Sequence, residues 1–147
     1  FKIVANIPYY ITSRFLKNSL TAKNKPELIV LMVQLEVAKR ICAKPPDMNL
    51  LALSVQAYGK VEFIKKVSRG NFSPAPKVDS AIIKISEIRG WELPVSEKKF
   101  WEVLRRAFQQ KRKMLRASLG KNIPEKFRTK RPEELSLEDW ASLAEQV

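Results

Sequence analysis

The sequence predicts an α/β segment over residues 1–89, followed by a small all-helical segment over residues 90–147. Two observations lead to this fold class. In the first segment, short apolar runs alternate with amphipathic stretches. Residues 28–33 form an apolar run without alternation, which is typical of a strand buried on both faces of a parallel sheet. From Ser96 onward, apolar residues recur at helical spacing.

The first segment contains strands that alternate with helices. The predicted strands cover residues 2–5, 28–34, 61–67 and 81–85, and the predicted helices cover residues 13–23, 36–43 and 50–58. Thr12 or Ser13 can cap the first helix, because a hydroxyl oxygen accepts a hydrogen bond from a free N–H of the first turn. No helix is predicted between the last two strands, so we expect them to pair antiparallel.

The second segment follows a predicted linker at residues 89–95. Ser96 is placed as the N-cap of its first helix, with Val95 and Phe100 as a hydrophobic staple. The apolar stripe of this helix consists of Phe100, Val103, Leu104, Ala107 and Phe108.

A second helix start is predicted near the end of the chain. Ser136 and Asp139 have the spacing of a capping box, and Leu135 and Trp140 have the spacing of a staple. The last helix is therefore expected to begin after Ser136 and to continue through Ala144.

Composition restricts the classes of function. The formal charge of +13 favours a polyanionic partner, with an anionic membrane surface as the competing interpretation. The apolar run at residues 28–33 is too short to span a bilayer. With one cysteine and no histidine, the sequence excludes an internal disulfide, Cys/His zinc sites and Ser-His or Cys-His triads. No cluster of acids suggests a metal, and we expect a cytoplasmic protein.

The segment Asn6-Ile7-Pro8-Tyr9-Tyr10 follows the first strand and has the residue types needed to hold the amino group of a flat base. The Asn6 side-chain oxygen can accept one N–H of the amine, and the Ile7 carbonyl can accept the other. Pro8 stiffens the loop, and Tyr9 offers an aromatic face for stacking. This arrangement suits methyl transfer to nitrogen. An ordinary strand-to-helix turn is the alternative interpretation.

A second aromatic residue lies in the proline-rich segment at residues 71–80, Asn-Phe-Ser-Pro-Ala-Pro-Lys-Val-Asp-Ser, just before the last predicted strand. Two prolines hold Phe72 in a rigid loop, so its ring could supply the second face of a base sandwich with Tyr9. The alternative is a hydrophobic plug in a stiffened connection.

Together with residues 108–120, Phe-Gln-Gln-Lys-Arg-Lys-Met-Leu-Arg-Ala-Ser-Leu-Gly, these segments resemble the ribosomal RNA adenine dimethyltransferase family. The loop at Asn6 is similar to the family's N-[LI]-P-Y motif, and the loop at Phe72 is similar to its F-x-P-x-P-K-V-D-S motif. The third segment resembles the bacterial KsgA branch, which modifies small-subunit RNA, better than the macrolide-resistance (Erm) branch. The resemblance extends over nearly the whole chain.

This resemblance implies that residues 1–89 are the C-terminal half of a Rossmann-like methyltransferase sheet and that residues 90–147 are a helical RNA-binding domain. It implies S-adenosyl-L-methionine as cofactor, two methylations of an adenine amine, and small-subunit ribosomal RNA in the immature ribosomal subunit as partner. No metal is implied. The implied catalytic residues are Asn6, Ile7, Pro8, Tyr9 and Phe72, and Asn6 would also contact the cofactor.

The family's cofactor motifs are not found in this sequence. Methyltransferases of this kind cradle the cofactor with a glycine-rich loop after the first strand, whereas the four glycines here form no Gly-x-Gly. The chain also begins without methionine, directly on a predicted strand. We therefore expect it to be the C-terminal portion of a longer enzyme, whose missing N-terminal half carries most of the cofactor site.

Basic side chains are concentrated between residues 105 and 131, where Glu125 is the only acid. One continuous helix would present Arg105, Arg112 and Arg116 as a stripe opposite the apolar residues, able to follow RNA phosphates. A merely solvated face is the alternative. The predicted RNA-binding residues are Arg105, Arg106, Lys111, Arg112, Lys113, Arg116 and Lys77.

Three functions remain open from the sequence. The first is dimethylation of adenines in small-subunit ribosomal RNA, the second is an RNA-binding or ribosome-assembly module without catalysis in this chain, and the third is a DNA amino-methyltransferase. The single proline of the first loop and the helical tail favour RNA over DNA. The intact Asn-x-Pro-Tyr loop favours an enzyme, since a pure RNA-binding module has no use for an amine-holding loop.

Overall fold

A four-stranded mixed sheet organises the first part of the molecule. The computed structural model describes all residues from 1 to 147. The strands are β1 (Lys2–Asn6), β2 (Leu28–Gln34), β3 (Lys60–Val67) and β4 (Ser80–Ser86), in the order β1-β2-β4-β3. β1 pairs parallel with β2, whereas β4 pairs antiparallel with both β2 and β3. The predicted α/β class and the antiparallel pairing of the last two strands are confirmed.

Three helices lie close to their predicted positions in this part of the chain: α1 (Thr12–Thr21), α2 (Leu35–Ile41) and α3 (Leu50–Gln56). α2 contacts β2, β3 and β4. On β2, Ile29, Leu31 and Val33 are fully buried, whereas the alternate residues Val30 and Met32 are only partly buried. Burial on both faces of β2, which the apolar run predicted, is therefore complete on one face only.

The start of α1 differs from the prediction. A 3₁₀ turn at Tyr9–Ile11 runs directly into the helix, with the Thr12 N–H donating to the Tyr9 carbonyl. Ile11 occupies the N-cap position without a side-chain hydrogen bond. The Thr12 hydroxyl is buried without a hydrogen-bond partner. Capping by Thr12 or Ser13 is therefore wrong, because the backbone turn supplies the start of the helix.

The chain divides into two compact units, one formed by Phe1–Cys42 and Ser54–Gly90, the other by Ala43–Leu53 and Trp91–Val147. The sequence-based division at residue 89 did not anticipate the place of residues 43–53. Met48 and Leu53 lie in the apolar core of the second unit. The Met48 N–H donates to the Glu133 carbonyl at 2.9 Å, which ties this segment to the second unit.

The second unit contains the helices α4 (Glu97–Phe108), α5 (Leu115–Leu119), α6 (Glu125–Arg128) and α7 (Leu137–Gln146). The predicted caps of α4 and α7 are confirmed. Ser96 Oγ accepts a hydrogen bond from Lys99 N at 3.2 Å, and Ser136 and Asp139 exchange reciprocal hydrogen bonds at 3.1 Å. The predicted apolar stripe enters the core of this unit through Phe100, Val103, Leu104 and Ala107.

The basic residues do not lie on one continuous helix. α4 ends, the chain turns through residues 109–114, and α5 begins. Leu115 is fully buried and its N–H donates to the Lys130 carbonyl at 2.8 Å, which holds the chain in this turn. Arg105 lies on α4, Arg112 in the turn and Arg116 on α5. The predicted single stripe is therefore wrong.

The predicted linker at residues 89–95 is partly built into the second unit. Trp91 Nε1 donates to the Val95 carbonyl at 2.6 Å. The Trp91 ring meets the Phe100 ring edge-on, with the ring centroids 5.1 Å apart. From Trp91 onward, this connection is packed structure, because the aromatic ring gains more by joining the core than by remaining in solvent.

Candidate functional site

The two loops predicted to act together emerge at one edge of the sheet. The register pairs Asn6 with Met32, Gln34 with Ser80, and Val67 with Ser80. The carboxyl ends of β1, β2 and β3 and the amino end of β4 therefore meet at this edge. The loop after β1 begins at this edge, and the loop between β3 and β4 begins and ends at it. The carboxyl edge of parallel strands is where ligand sites of open α/β sheets usually lie.

The loop after β1 presents Asn6 to solvent at the strand end. Pro8 is in an extended conformation with φ −56° and ψ 136°, and its carbonyl accepts the Ile11 N–H at 3.2 Å. The fixed φ of proline and the turn that follows hold the loop in one course. Asn6 therefore stands at the end of a strand, ahead of a stiff turn, with its amide exposed.

Tyr9 is anchored at its hydroxyl end. The Tyr9 hydroxyl and Ser80 Oγ form a hydrogen bond, and Ser80, at the start of β4, is fully buried. The Tyr9 side chain is partly buried, whereas Tyr10, the next residue, is 89% exposed. The two tyrosines thus differ: one is tied to the sheet and the other extends into solvent.

The loop before β4 is closed at its base by hydrogen bonds. Asp79 Oδ1 accepts the Arg69 N–H at 2.9 Å, and Arg69 Nη1 donates to the Lys77 carbonyl at 2.9 Å. Lys66 Nζ lies 3.5 Å from Asp79 Oδ2. The Arg69 N–H is the main cause that lowers the pKa of Asp79, with Lys66 adding to it, so the carboxyl group is ionised at neutral pH.

Phe72 lies within this closed loop and is partly exposed. Its N–H donates to the Arg69 carbonyl at 3.2 Å, which ends the 3₁₀ turn Arg69–Asn71. Phe72 and Tyr9 therefore lie on the two loops of the same sheet edge, and neither ring is fully buried. Their joint action on a base stays a prediction.

The predicted RNA-binding residues fall into four places. Arg105 and Arg106 are exposed on α4, Arg116 is exposed on α5, and Lys77 is exposed in the loop before β4. Arg106 Nη2 also donates to the Ser118 carbonyl at 3.4 Å, so part of its role is to connect α4 to α5. The remaining predicted residues, Lys111, Arg112 and Lys113, lie together in the turn after α4.

The turn after α4 forms a shallow cavity that sequence reasoning did not predict. Its volume is about 330 Å³. The lining combines an aromatic edge, two amides and three cations, and it consists of Phe108, Gln109, Gln110, Lys111, Arg112 and Lys113. Aromatic, amide and cationic groups at one concave surface suit contacts to both bases and phosphates of RNA.

Two further properties bear on possible ligands. The structure contains no group of three or more His, Cys, Asp or Glu side chains arranged to hold a metal ion. Among the helices, none combines the length and the apolarity that crossing a membrane requires.

The outer edge of β1 is not paired with another strand. Val4 in this strand is 78% exposed and Phe1 just before it is 63% exposed. Unpaired, apolar strand edges are usually covered in stable proteins. Asn6 lies at the end of this same open strand.

Comparison with known proteins finds a family model, curated proteins and solved structures that match this chain. The model of the family described as "Ribosomal RNA adenine dimethylase" matches residues 1–145. The ribosomal RNA small subunit methyltransferase A of Dehalococcoides mccartyi is 40% identical over 157 residues, which cover 97% of this chain and 54% of that protein. The chain thus spans about half the length of the curated relatives that it matches.

Solved structures likewise match nearly the whole of this chain but only part of their own length. A dimethyladenosine transferase from Plasmodium falciparum has a TM-score of 0.82 at 26% identity, over 97% of this chain and 64% of that one. The 23S rRNA methyltransferase ErmE has a TM-score of 0.78 at 26% identity, over 99% of this chain and 64% of that one. The predicted class, part of a Rossmann-like methyltransferase sheet followed by helices, is confirmed.

Proposed function

The chain belongs to the ribosomal RNA adenine dimethylase family, as its motifs predicted, and from this we propose that it forms the base-holding part of an enzyme that dimethylates adenines in small-subunit ribosomal RNA. The observation that carries the proposal is that exposed Asn6, anchored Tyr9 and the loop of Phe72 all lie at the same edge of the sheet. The methyl donor that this family implies is S-adenosyl-L-methionine.

The chemical problem is the weak nucleophilicity of the adenine amine, whose lone pair is delocalised into the ring. The Asn6 side-chain oxygen and the Ile7 carbonyl would accept its two N–H groups and direct the lone pair toward the methyl group. Both oxygens also favour the positive charge that develops on nitrogen during transfer. After methyl transfer, the nitrogen carries a positive charge and its N–H proton is acidic. This proton leaves to water, so no basic side chain is required.

Holding the base is the proposed role of the two aromatic residues. An adenine turned out of its RNA context would stack between Tyr9 and Phe72, which offsets part of the few kcal/mol that unstacking costs. Pro8 contributes by fixing the course of the first loop, so that the Asn6 amide and the Tyr9 ring keep their relative positions.

The cofactor would supply an electrophilic methyl group at this edge. Of the residues in this chain, Asn6 fits as one polar contact, because its amide is exposed at the end of β1. The chain has four glycines and no Gly-x-Gly loop that could cradle the cofactor. We infer that most of the cofactor site belongs to the part of the relatives' length that this chain does not span, next to the open edge of β1.

The aromatic sandwich gives a first prediction. In the full-length protein, Tyr9→Ala and Phe72→Ala are each expected to weaken productive RNA binding by roughly 1 to 3 kcal/mol, the range for one base stacked on an aromatic ring. Single-turnover methylation against RNA concentration measures this as a raised half-saturation concentration. The control is Phe72→Tyr, which keeps the ring and should stay near the wild-type value. Equal losses in Phe72→Tyr and Phe72→Ala would speak against stacking.

The turn after α4 gives a second prediction. Changing Lys111, Arg112 and Lys113 together to Gln is expected to weaken RNA binding about equally for different sequences. The slope of log affinity against log salt should fall by up to about two to three units, if each cation meets one phosphate. The residues are exposed, so the fold should persist.

The matched control removes the same charge elsewhere. Lys2, Lys39 and Lys60 are exposed and each faces a carboxylate at 3.8 to 3.9 Å. Their triple change to Gln should alter the salt slope much less. If both triple variants lower the slope equally, only the net charge matters and the turn is not a specific contact. Loss of binding to anionic vesicles rather than RNA would instead support the membrane interpretation.

Nucleoside analysis tests the proposed function itself. The full-length protein is incubated with labelled S-adenosyl-L-methionine and either immature small ribosomal subunits, large-subunit RNA or duplex DNA. Digestion and mass spectrometry should find dimethyladenosine in the small-subunit RNA. Methylated bases in DNA, or RNA binding without any methylated nucleoside, would overturn the proposal in favour of one of the two other functions.

A further inference from the structure

Two adjacent residues at the start of β4, Asp79 and Ser80, contact both loops of the site. Ser80 is hydrogen-bonded to Tyr9 of the first loop. Asp79 is hydrogen-bonded to Arg69 at the base of the second loop. One dipeptide therefore touches both segments that hold the proposed base-stacking rings.

We propose that Asp79 and Ser80 are positioning residues that fix the Tyr9 ring and the Phe72 loop relative to one another. The proposal rests on the proposed function, because it assigns these two residues to the holding of the same base. Neither residue would touch the adenine. Ser80 would act through Tyr9, and Asp79 would act through the loop that carries Phe72.

Ser80 holds a rigid position in the sheet. Ser80 is fully buried, and its backbone pairs with Gln34 of β2 on one side and with Val67 of β3 on the other. A hydroxyl on a doubly paired strand cannot move far, and its burial excludes water from competing for the bond. The Tyr9 hydroxyl is therefore held at a fixed point, which limits how far the ring can swing away from this edge of the sheet.

Asp79 makes three contacts that hold the second loop. The Asp79 carbonyl accepts the Leu35 N–H at 3.0 Å, which fixes its backbone to the first residue of α2. Its carboxylate accepts the Arg69 N–H at 2.9 Å and lies 3.5 Å from Lys66 Nζ. The start and the end of the loop are thereby joined. Because loop closure reduces the conformations open to residues between, Phe72 is confined.

Of these contacts, the backbone hydrogen bond matters more than the ion pair. Lys66 is largely exposed, and exposed ion pairs contribute little. The Arg69 N–H, by contrast, donates directly to the Asp79 carboxylate. A hydrogen bond between an ionised carboxylate and a backbone N–H is stronger than a bond between neutral groups. Asp79→Ala should therefore loosen the loop, whereas Lys66→Gln should leave it nearly unchanged.

The Tyr9 contact is tested by a double-mutant cycle in the full-length protein. Tyr9→Phe and Ser80→Ala are each expected to lower kcat/KM about 3- to 10-fold, the size of one lost hydrogen bond. The double variant should lose no more than the worse single variant, because both remove the same bond. Losses that multiply in the double variant would overturn the proposal. Tyr9→Phe leaves the buried strand residue intact and so covers the case in which Ser80→Ala does not fold.

A spectroscopic measurement without substrate separates positioning from general stability. With fluorinated tyrosine, the ¹⁹F signal that disappears in Tyr9→Phe belongs to Tyr9. In Ser80→Ala this signal should shift or change in width while the thermal midpoint stays within a few degrees of wild type. An unchanged Tyr9 signal would overturn the proposal even if activity falls.

Hydrogen exchange tests the second loop in the same way. Amide exchange in residues 69–78 should rise in Asp79→Ala and stay near wild type in Lys66→Gln. Equal exchange in Asp79→Ala and wild type would remove Asp79 from the proposal. The fluorine and exchange measurements need no RNA and no cofactor. They therefore test whether Asp79 and Ser80 position the two loops independently of the proposed function, which the nucleoside analysis tests.

Discussion

Asn6→Ala in the full-length protein is expected to lower the rate of methyl transfer by about 10²-fold or more, the scale on which one transition-state hydrogen bond acts. The loss follows from the position of Asn6, exposed at the end of β1 and ahead of the stiff turn at Pro8. Without the Asn6 side-chain oxygen, the lone pair of the adenine amine is no longer directed toward the methyl group. RNA affinity should barely change, because the amide contributes one contact among many.

The matched control for this variant is Asn18→Ala. Asn18 is an exposed asparagine on α1, outside the loop. Single-turnover kinetics and an RNA-binding assay on both variants separate chemistry from binding. Near-normal methylation by Asn6→Ala would show that this side chain does not hold the amine. A loss confined to RNA binding would move Asn6 from chemistry to recognition.

The largest effect on stability is expected from Phe100→Ala in the second unit. Phe100 is fully buried, and its ring lies edge-on to Trp91 and Trp101 with centroids 5.1 and 5.0 Å away. Removing a buried phenyl ring leaves a cavity and costs about 3 to 5 kcal/mol in the free energy of unfolding. The second unit should unfold at much lower denaturant concentration.

Tryptophan fluorescence reports on this unit, because all three tryptophans of the chain belong to it. The control is Phe63→Ala in β3, where the side chain is 43% exposed and should lose far less. If Phe100→Ala lowers the free energy of unfolding by under about 1 kcal/mol, the core of the second unit is not packed around this ring.

Most elements could be predicted because their signals are local. The periodicity of Phe100, Val103 and Leu104 predicted a buried helix face, and the hydroxyl of Ser96 predicted where that helix begins. The end of α4 could not be predicted in the same way. It depends on the Leu115 N–H, which pairs with the carbonyl of Lys130 far along the chain. Such a contact has no sequence periodicity.

The same distinction applies to the site. Loop composition and family motifs predicted Asn6, Tyr9 and Phe72 as site residues, and the positions of their loops on one sheet edge follow from the strand register. The contact of Ser80 with Tyr9 joins residues 71 positions apart and has no local signal. The only sequence signal for Ser80 was its place at the end of the proline-rich motif.

The distance from Asn6 Oδ1 to the exocyclic nitrogen of the target adenine tests the central claim most directly. It can be measured in a structure of the full-length protein bound to small-subunit RNA. The proposed mechanism predicts about 2.7 to 3.2 Å, with the adenine ring between Tyr9 and Phe72. An adenine held elsewhere, with this nitrogen beyond hydrogen-bond reach of both Asn6 and the Ile7 carbonyl, would contradict it.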